Sequence, residues 1–299
     1  LAGFAHFVAT SPASFTRIEA PAVTMVTSQS LIYSGMRDLA MATQKKSLRA
    51  LAYDAHTPAR LLPENRLAEL GQPKLVILPA AQALTDDAWQ HLLDYVANGG
   101  CLLVSGPVQR NEHWQAVDRL TPLKLKADVF PITVRQSTLS LPGHEHPLQV
   151  SYPAGVQQAP IESMRFDDGA SLKVVRHGKG KLIWVADPVA FAEGYDTQAA
   201  LYAWALAQAG VVPAFTQLQP LSPGVLAFPT VLDDAVLYSF ASDSLQDQTV
   251  DIKDTTTGAT IHFTLGAQRG AMVLLDRASG AVLASYNAGT QKPAAAAAR

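Results

Sequence analysis

The sequence predicts an α/β domain built on a parallel sheet, followed by a small all-β antiparallel sandwich. Three observations carry that expectation. First, Lys74–Gly106 reads strand, helix, strand: K-L-V-I-L-P, then T-D-D-A-W-Q-H-L-L-D-Y-V-A-N-G-G, then C-L-L-V-S-G. Second, Leu75–Leu78 is an unbroken apolar run of strand length, the pattern of a strand buried on both faces of a parallel sheet. Joining two such strands through a helix requires a right-handed crossover, so the sheet is parallel and doubly wound. Third, beyond Pro223 the helical spacing gives way to short alternating runs divided by turn residues, the signature of a sandwich.

Taken in order, Leu1–Arg17 spaces Phe4, Phe7, Val8 and Phe15 as a short helix and reads as the tail of something preceding it. Ala22–Thr27 is the first strand, with Ser28-Gln29-Ser30 at its carboxyl end. Gly35–Ala52 is a helix turning Met36, Leu39, Ala40, Leu48 and Leu51 to the core, and Ala59–Leu62 is a short strand closed by Pro63. In the clear unit, Thr85 sits where an N-cap belongs and Asp86-Asp87 put negative charge into the first turn. Trp89, Leu92, Leu93 and Val96 share one helical face, and Gly99-Gly100 end the helix before the strand Cys101–Val104.

After Gly106 the segment Ala127–Val150 is β-rich, alternating at Val129, Ile132 and Val134 and at Leu139 and Leu141. Ser171–Ala186 is a hairpin turning at His177-Gly178-Lys179-Gly180, and Tyr195–Gly210 is a helix. The expected organisation is a tail or linker over 1–21, an α/β domain with a β-rich insertion over 22–216, a sandwich over 217–290 opened by the connector Gln217–Pro223, and a low-complexity tail over 291–299. In the sandwich Val236, Tyr238 and Phe240 share a face, as do Val250 with Ile252 and Ile261 with Phe263 and Leu265. Met272–Leu275 turns at Ser279-Gly280 into Val282–Tyr286.

Composition narrows the function. Of 299 residues, 48% are hydrophobic and 16% charged, enough apolar material for two cores. The net charge of −2 comes without a lysine-arginine stripe, which argues against nucleic acid and anionic membrane surfaces as partners. No apolar run nears the ~18 residues of a membrane span. The lone Cys101 excludes an internal disulfide and leaves cytoplasm and periplasm both open. The opening at Leu1, without a basic and apolar leader, suggests a processed or truncated product, and K-P-A-A-A-A-A-R at Lys292–Arg299 reads as a tail or remnant.

In a flavodoxin-like sheet a site lies at the carboxyl ends of the strands, near the switch in strand order. The candidates there are Ser28, Gln29, Tyr33, Glu64, Asn65, Ser105, Arg110, Glu112, His113 and Trp114, with R-N-E-H-W at Arg110–Trp114 mixing acid, base and aromatic surface. Cys101 is not a nucleophile by position. A catalytic thiol of this fold sits on a strand-to-helix elbow, whereas Cys101 follows Gly99-Gly100 at the amino end of a strand. His144-Glu145-His146 supplies too few ligands for a metal centre, G-K-G-K at Gly178–Lys181 lacks the strand-loop-helix setting of a phosphate cradle, and no cofactor is expected. Asp86-Asp87 starts a helix, Asp167-Asp168 and Asp233-Asp234 lie in turns, and no carboxylate pair is positioned ~5–10 Å apart for glycoside hydrolysis.

The stretches K-L-V-I-L-P-A-A-Q-A-L-T-D-D-A-W at Lys74–Trp89, L-L-D-Y-V-A-N-G-G-C-L-L-V-S-G at Leu92–Gly106 and G-K-G-K-L-I-W-V-A at Gly178–Ala186 resemble the trimerisation domain of glycoside hydrolase family 42 β-galactosidases. P-G-V-L-A-F-P and R-G-A-M-V-L-L-D resemble the small β-sandwich that closes such enzymes. The resemblance implies a class I glutamine amidotransferase-like fold without amidotransferase chemistry, used for subunit contacts and for shaping a sugar site. Family catalytic glutamates lie in an amino-terminal (β/α)8 barrel of about 250 residues, which this chain lacks, so no catalytic residue transfers. Leu1–Arg17 would be the barrel's last helix or its linker.

The expected protein is therefore the non-catalytic C-terminal portion of a β-galactosidase-like glycoside hydrolase. Its partners would be that barrel or homo-oligomer subunits, with carbohydrate near Arg110, Glu112, His113, Trp114, Glu64 and Tyr33. Two alternatives stand beside it. One is a stand-alone carbohydrate-binding or adaptor module stacking sugar on Trp114, Trp184 and Tyr238; the other is a hydrolase using Cys101 or a serine.

Overall fold

Strand-length apolar runs build the sheet of one unit of the chain, which comprises Pro21–Leu51 and Ala59–Val211. A computed structural model describes residues 2–13, 19–220 and 224–288. In chain order the strands of this unit are β1 (Val23–Thr27), β2 (Ala59–Pro63), β3 (Leu75–Pro79), β4 (Cys101–Ser105), β5 (Ala127–Pro131), β6 (Gln136–Leu139), β7 (Leu148–Ser151), β8 (Glu162–Phe166), β9 (Leu172–His177) and β10 (Gly180–Val185). The main sheet runs β2-β1-β3-β4-β10-β9, parallel throughout except for β9, which is the antiparallel arm of the β9–β10 hairpin. β1, β3 and β4 are buried along their whole length, as central strands of a covered parallel sheet must be.

The helix α1 (Ala2–Thr10) belongs to the other unit; α2 (Gln29–Ile32), α3 (Arg37–Arg49), α4 (Asp86–Ala97), α5 (Ala154–Gln158) and α6 (Asp196–Gln208) belong to this one. Thr85 caps α4, its hydroxyl accepting from the Ala88 N–H at 3.1 Å. Alternation along the strands puts Val76, Leu78, Leu102, Val104, Leu182 and Trp184 on one sheet face, where Trp89, Leu92, Tyr95 and Val96 of α4 cover them. The helix ends at Gly99, whose φ of +113° suits glycine. At the neighbouring Gly100 a side chain would overlap the Tyr95 ring.

Helix α3 lies against β3 and is tied to α6 by a polar knot. The Gln198 amide donates to the Ser47 hydroxyl at 2.7 Å and to the Tyr202 hydroxyl at 2.8 Å, and Tyr202 donates to Ser47 at 2.9 Å. This is why buried Ser47, not half-buried Leu48, is the inward residue of that turn, and burial pushes the Tyr202 phenol up to about 12. Instead of running to Ala52 as one α-helix, the segment widens into a π-helical turn over Ala50–Asp54 that buries Ala50 and Leu51 together.

Lys46 of α3 donates to the Ala192 carbonyl, and burial lowers its ammonium to about 8 from an unfolded value of 10.5. Between those two values the unfolded chain holds more protons, so this group makes stability rise with pH across the window and is fully destabilising below about 8. Lys46→Met is expected to melt higher than the parent at pH 7, with the difference fading as pH approaches 10.5; parallel thermal melts across that range check it.

The insertion between β4 and β9 contains two two-stranded ladders, β5–β8 and β6–β7. Its alternation is only partly an inside–outside pattern. Ile132, Leu139 and Leu141 are buried, whereas Val129 and Val134 are exposed. Val129 lies on the two-stranded β5–β8 ladder, which leaves one face without a covering layer, and Val134 lies in the connection between β5 and β6.

The second unit comprises residues 1–20, 52–58 and 212–299. Its strands are β11 (Phe215–Gln217), β12 (Val225–Val231), β13 (Ala235–Ser242), β14 (Gln248–Asp254), β15 (Thr260–Leu265), β16 (Gly270–Asp276) and β17 (Val282–Tyr286). They form two antiparallel sheets, β11-β14-β15 and β12-β13-β16-β17. Val250, Ile252, Ile261, Phe263 and Leu265 of the first sheet share one core with Val236, Tyr238, Phe240, Val273 and Leu275 of the second, which is the sandwich.

The strand Phe215–Gln217 straddles the expected boundary at 216; it forms because Phe215 fills this core and packs edge-on to Tyr238. Helix α1 packs within this unit: Phe7 joins Leu232, Ala235 and Leu274, and Phe4 meets Tyr286 edge-on. Leu1, Phe15, the end of the expected connector (221–223) and the tail Lys292–Arg299 lie outside the described residues.

Candidate functional site

The carboxyl ends of β1 to β4 are bound to one another by buried polar side chains. Ser28, directly after β1, caps α2 by accepting from the Leu31 N–H at 2.9 Å and donates to the Ala83 carbonyl beyond β3 at 2.6 Å. Glu64, directly after β2, is 4% exposed. Its carboxylate accepts from the Ser30 N–H at 2.6 Å, the Ser30 hydroxyl at 2.9 Å and the Thr85 N–H at 3.0 Å, so one carboxylate ties the ends of three strands.

After β3 the chain turns through two left-handed residues, Ala80 and Gln82. The buried Gln82 amide pairs both ways with the Glu162 backbone, donating to its carbonyl at 3.0 Å and accepting from its N–H at 2.7 Å. The Glu162 carboxylate in turn receives Arg110, which follows β4, at 2.5 and 3.3 Å. The insertion is thus clamped to the edge of the sheet.

Beyond Arg110, the Asn111 carboxamide accepts the N–H groups of His113 and Gln115, each at 3.0 Å. The tight turn holds Trp114 at φ +59°, a conformation disfavoured for a bulky residue. Above these strand ends lies a cleft of about 870 Å³. One wall comes from the segment after β1, including Tyr33, Met36 and Asp38; Glu64, Asn65 and Thr85 form the floor; Glu112 and Trp114 face in from the loop after β4; and Gln158-Ala159-Pro160 close the insertion side. Among the described residues, no lysine, arginine or histidine lines it.

Of the six residues expected nearest a sugar, Tyr33, Glu64, Glu112 and Trp114 come together in this cleft. Arg110 stands outside the lining, committed to Glu162, and His113 points to solvent with its Nε2 3.8 Å from Glu112. Gln29 and Asn65 line the cleft as well. Ser28 and Ser105 do not, because their hydroxyls serve backbone: Ser105 donates to the Asp187 carbonyl and accepts from the Val189 N–H, each at 3.0 Å.

Trp184 and Tyr238, the other two aromatics considered for stacking, are core residues. The Trp184 indole donates to the Gly106 carbonyl at 2.9 Å and packs 5.5 Å from Trp89, and the Tyr238 hydroxyl donates to Asp254 at 2.6 Å. Residues missed by sequence reasoning are Met36, Asp38 and the Gln158–Pro160 wall. Gln82, which lies outside the cleft lining but clamps the insertion to the strand ends, was missed too, and it carried a usable signal as an amide set within the apolar run P-A-A-Q-A-L.

Cys101 lies buried at the amino end of β4, far along the strand from the cleft edge, and burial pushes its thiol up to about 11. A disulfide-exchange reagent at pH 8 is therefore expected to leave the native protein unlabelled within the time that labels the urea-unfolded chain fully; rapid native labelling would contradict the burial. His144, Glu145 and His146 are exposed, and among the described residues no group of three or more His, Cys, Asp or Glu side chains is gathered as for a metal ion. No helix among them is long and apolar enough to cross a membrane.

No family model matches the sequence, and no curated protein does either. Solved structures do match. The β-galactosidase of Bacillus circulans sp. alkalophilus aligns at 16% identity and TM-score 0.63, over 88% of this chain and 42% of its own. Gan42B, a GH42 β-galactosidase from G. stearothermophilus, aligns in a catalytic-mutant form at 12% identity and TM-score 0.62, over 87% and 41%. A β-galactosidase of the haloarchaeon Halorubrum lacusprofundi gives 17%, 0.61, 92% and 42%. The likeness is one of fold. The chain spans about two-fifths of the length of each of these structures.

Proposed function

We propose that this chain is the non-catalytic, C-terminal portion of a β-galactosidase-like glycoside hydrolase of the family 42 type, serving subunit assembly and the shaping of a sugar site. The observation that carries the reading is the match of nearly the whole chain, across both units, to two-fifths of several β-galactosidases. The order β2-β1-β3-β4-β10 supports a flavodoxin-like, amidotransferase-like domain over roughly 22–216, and the two facing sheets support a sandwich over roughly 217–290. Cys101 at the wrong end of its strand supports a loss of amidotransferase chemistry. The missing partners are then the catalytic barrel and further copies of this chain.

Light scattering coupled to size exclusion tests the assembly role, with an oligomer independent of dilution in the micromolar range as the expected result. A monomer at every concentration would remove that role. Nitrophenyl galactosides should not turn over, and measurable hydrolysis by the chain alone would overturn the non-catalytic assignment.

A further inference from the structure

We propose that the cleft at the carboxyl ends of β1–β4 binds a neutral pyranose directly, with Trp114 and Tyr33 as its stacking faces. The chain would then hold a saccharide site of its own, complete without a barrel. The inference rests on the glycosidase-related reading for the ligand class tried first, and on the chemistry of the cleft for everything else.

The volume, about 870 Å³, falls within the ~300–1,000 Å³ typical of small-ligand sites. Its two aromatic rings are not placed for the core. Tyr33 is 83% exposed although it opens onto a concavity, and Trp114 is presented from a left-handed position by a hydrogen-bonded turn. A pyranose has an apolar C–H face that packs on such rings and a rim of hydroxyls that both donate and accept. The amides of Gln29, Asn65 and Gln158 offer both functions to that rim.

Charge selects the class further. Glu64 spends its carboxylate on Ser30 and Thr85, but Asp38 and Glu112 add negative charge and, among the described residues, no cationic side chain lines the space. Phosphorylated, sulfated or uronic sugars would meet only repulsion there. A neutral sugar can use Asp38 and Glu112 as hydroxyl acceptors without such a penalty.

The test titrates the full chain with lactose, methyl β-galactopyranoside and cellobiose by calorimetry, alongside methyl glucuronide and glucosamine. Saturable binding of at least one neutral sugar is expected, weakened about ten-fold or more in Trp114→Ala and measurably in Tyr33→Ala, and retained in Trp114→Phe. Tyr33 is so exposed that its truncation leaves folding intact, and unchanged melting of each variant confirms this for the set.

No saturation by any neutral sugar at roughly 20 mM overturns the proposal, as does binding that neither aromatic variant weakens. Binding of glucosamine alone, lost in Asp38→Asn with Glu112→Gln, overturns the neutral class. Light scattering on the same samples separates the two readings: a sugar-binding monomer removes the assembly role and keeps this site, and an oligomer that binds no sugar does the reverse.

Discussion

Gly180→Ala is expected to destabilise the parallel-sheet unit by about 3 kcal/mol or more, which makes the G-K-G-K turn a packing device. The hairpin tip docks on the end of α4. The Lys179 N–H donates to the Ala97 carbonyl at 2.9 Å and the Lys181 N–H to the Gly100 carbonyl at 3.1 Å, giving partners to carbonyls that the helix end and the turn after it leave open. A β-carbon on Gly180 would fall onto the Val96 and Gly100 carbonyl oxygens, and one on Gly178 would come within 2.5 Å of the Ala97 oxygen. Both neighbours are backbone and cannot swing away. Urea denaturation should show a lower midpoint with an unchanged slope. Gly169→Ala is the control: its φ of +74° carries left-handed strain of roughly 1–2 kcal/mol, but the space around it is open. A Gly180→Ala protein no less stable than Gly169→Ala would refute the docked hairpin.

The second large effect is expected at Arg119, whose side chain is 3% exposed. Its guanidinium donates to the carbonyls of Leu84 at 2.6 Å and of Val108 and Arg110 at 3.2 Å each, and to Asp86 at 2.7 Å, while lying over the Trp89 ring. Arg119→Met keeps the bulk but strands the buried Leu84 and Val108 carbonyls, whereas the Arg110 carbonyl keeps the Leu84 N–H at 3.1 Å. The expected cost is about 3–5 kcal/mol, or a fall in melting temperature on the order of 10 °C. Asp86→Ala should cost less than about 1 kcal/mol, because the carboxylate is 73% exposed and water replaces most of the pair. Equal losses in the two variants would mean that the ion pair, not the carbonyl contacts, holds the loop. The same loop carries Glu112 and Trp114, so Arg119→Met should also weaken any ligand bound between them.

How much of this was legible depended on the range of the interaction. Lys74–Gly106 could be read residue by residue, because a buried strand, a capped helix and a glycine stop are each written within a few positions: Leu75–Leu78, Thr85, and Gly99 with Gly100. The same holds for the alternation of Val236, Tyr238 and Phe240, and for Cys101 at the amino end of its strand. Alternation alone misled at Val129, on a ladder face without a covering layer, and at Val134, which lies in the connection between β5 and β6, and it could not tell that Ser47 would displace Leu48 inward.

The sequence by itself determined that a covered parallel sheet and an antiparallel sandwich would form, that Cys101 would be buried away from any elbow, and that polar residues would collect after the strands. Those properties follow from local periodicity, chain direction and backbone sterics. The tertiary structure alone decided which of the polar residues do what. Gln82 meets Glu162, Glu64 meets Ser30 and Thr85, and Ser47 meets Gln198 and Tyr202, over separations of 80, 34, 21, 151 and 155 residues. No repeat or spacing encodes such pairs. They arise because a buried carboxylate or amide must find partners wherever folding has brought donors and acceptors within reach. For the same reason Arg110 is held by Glu162 outside the cleft, while Tyr33 and Trp114 face into it.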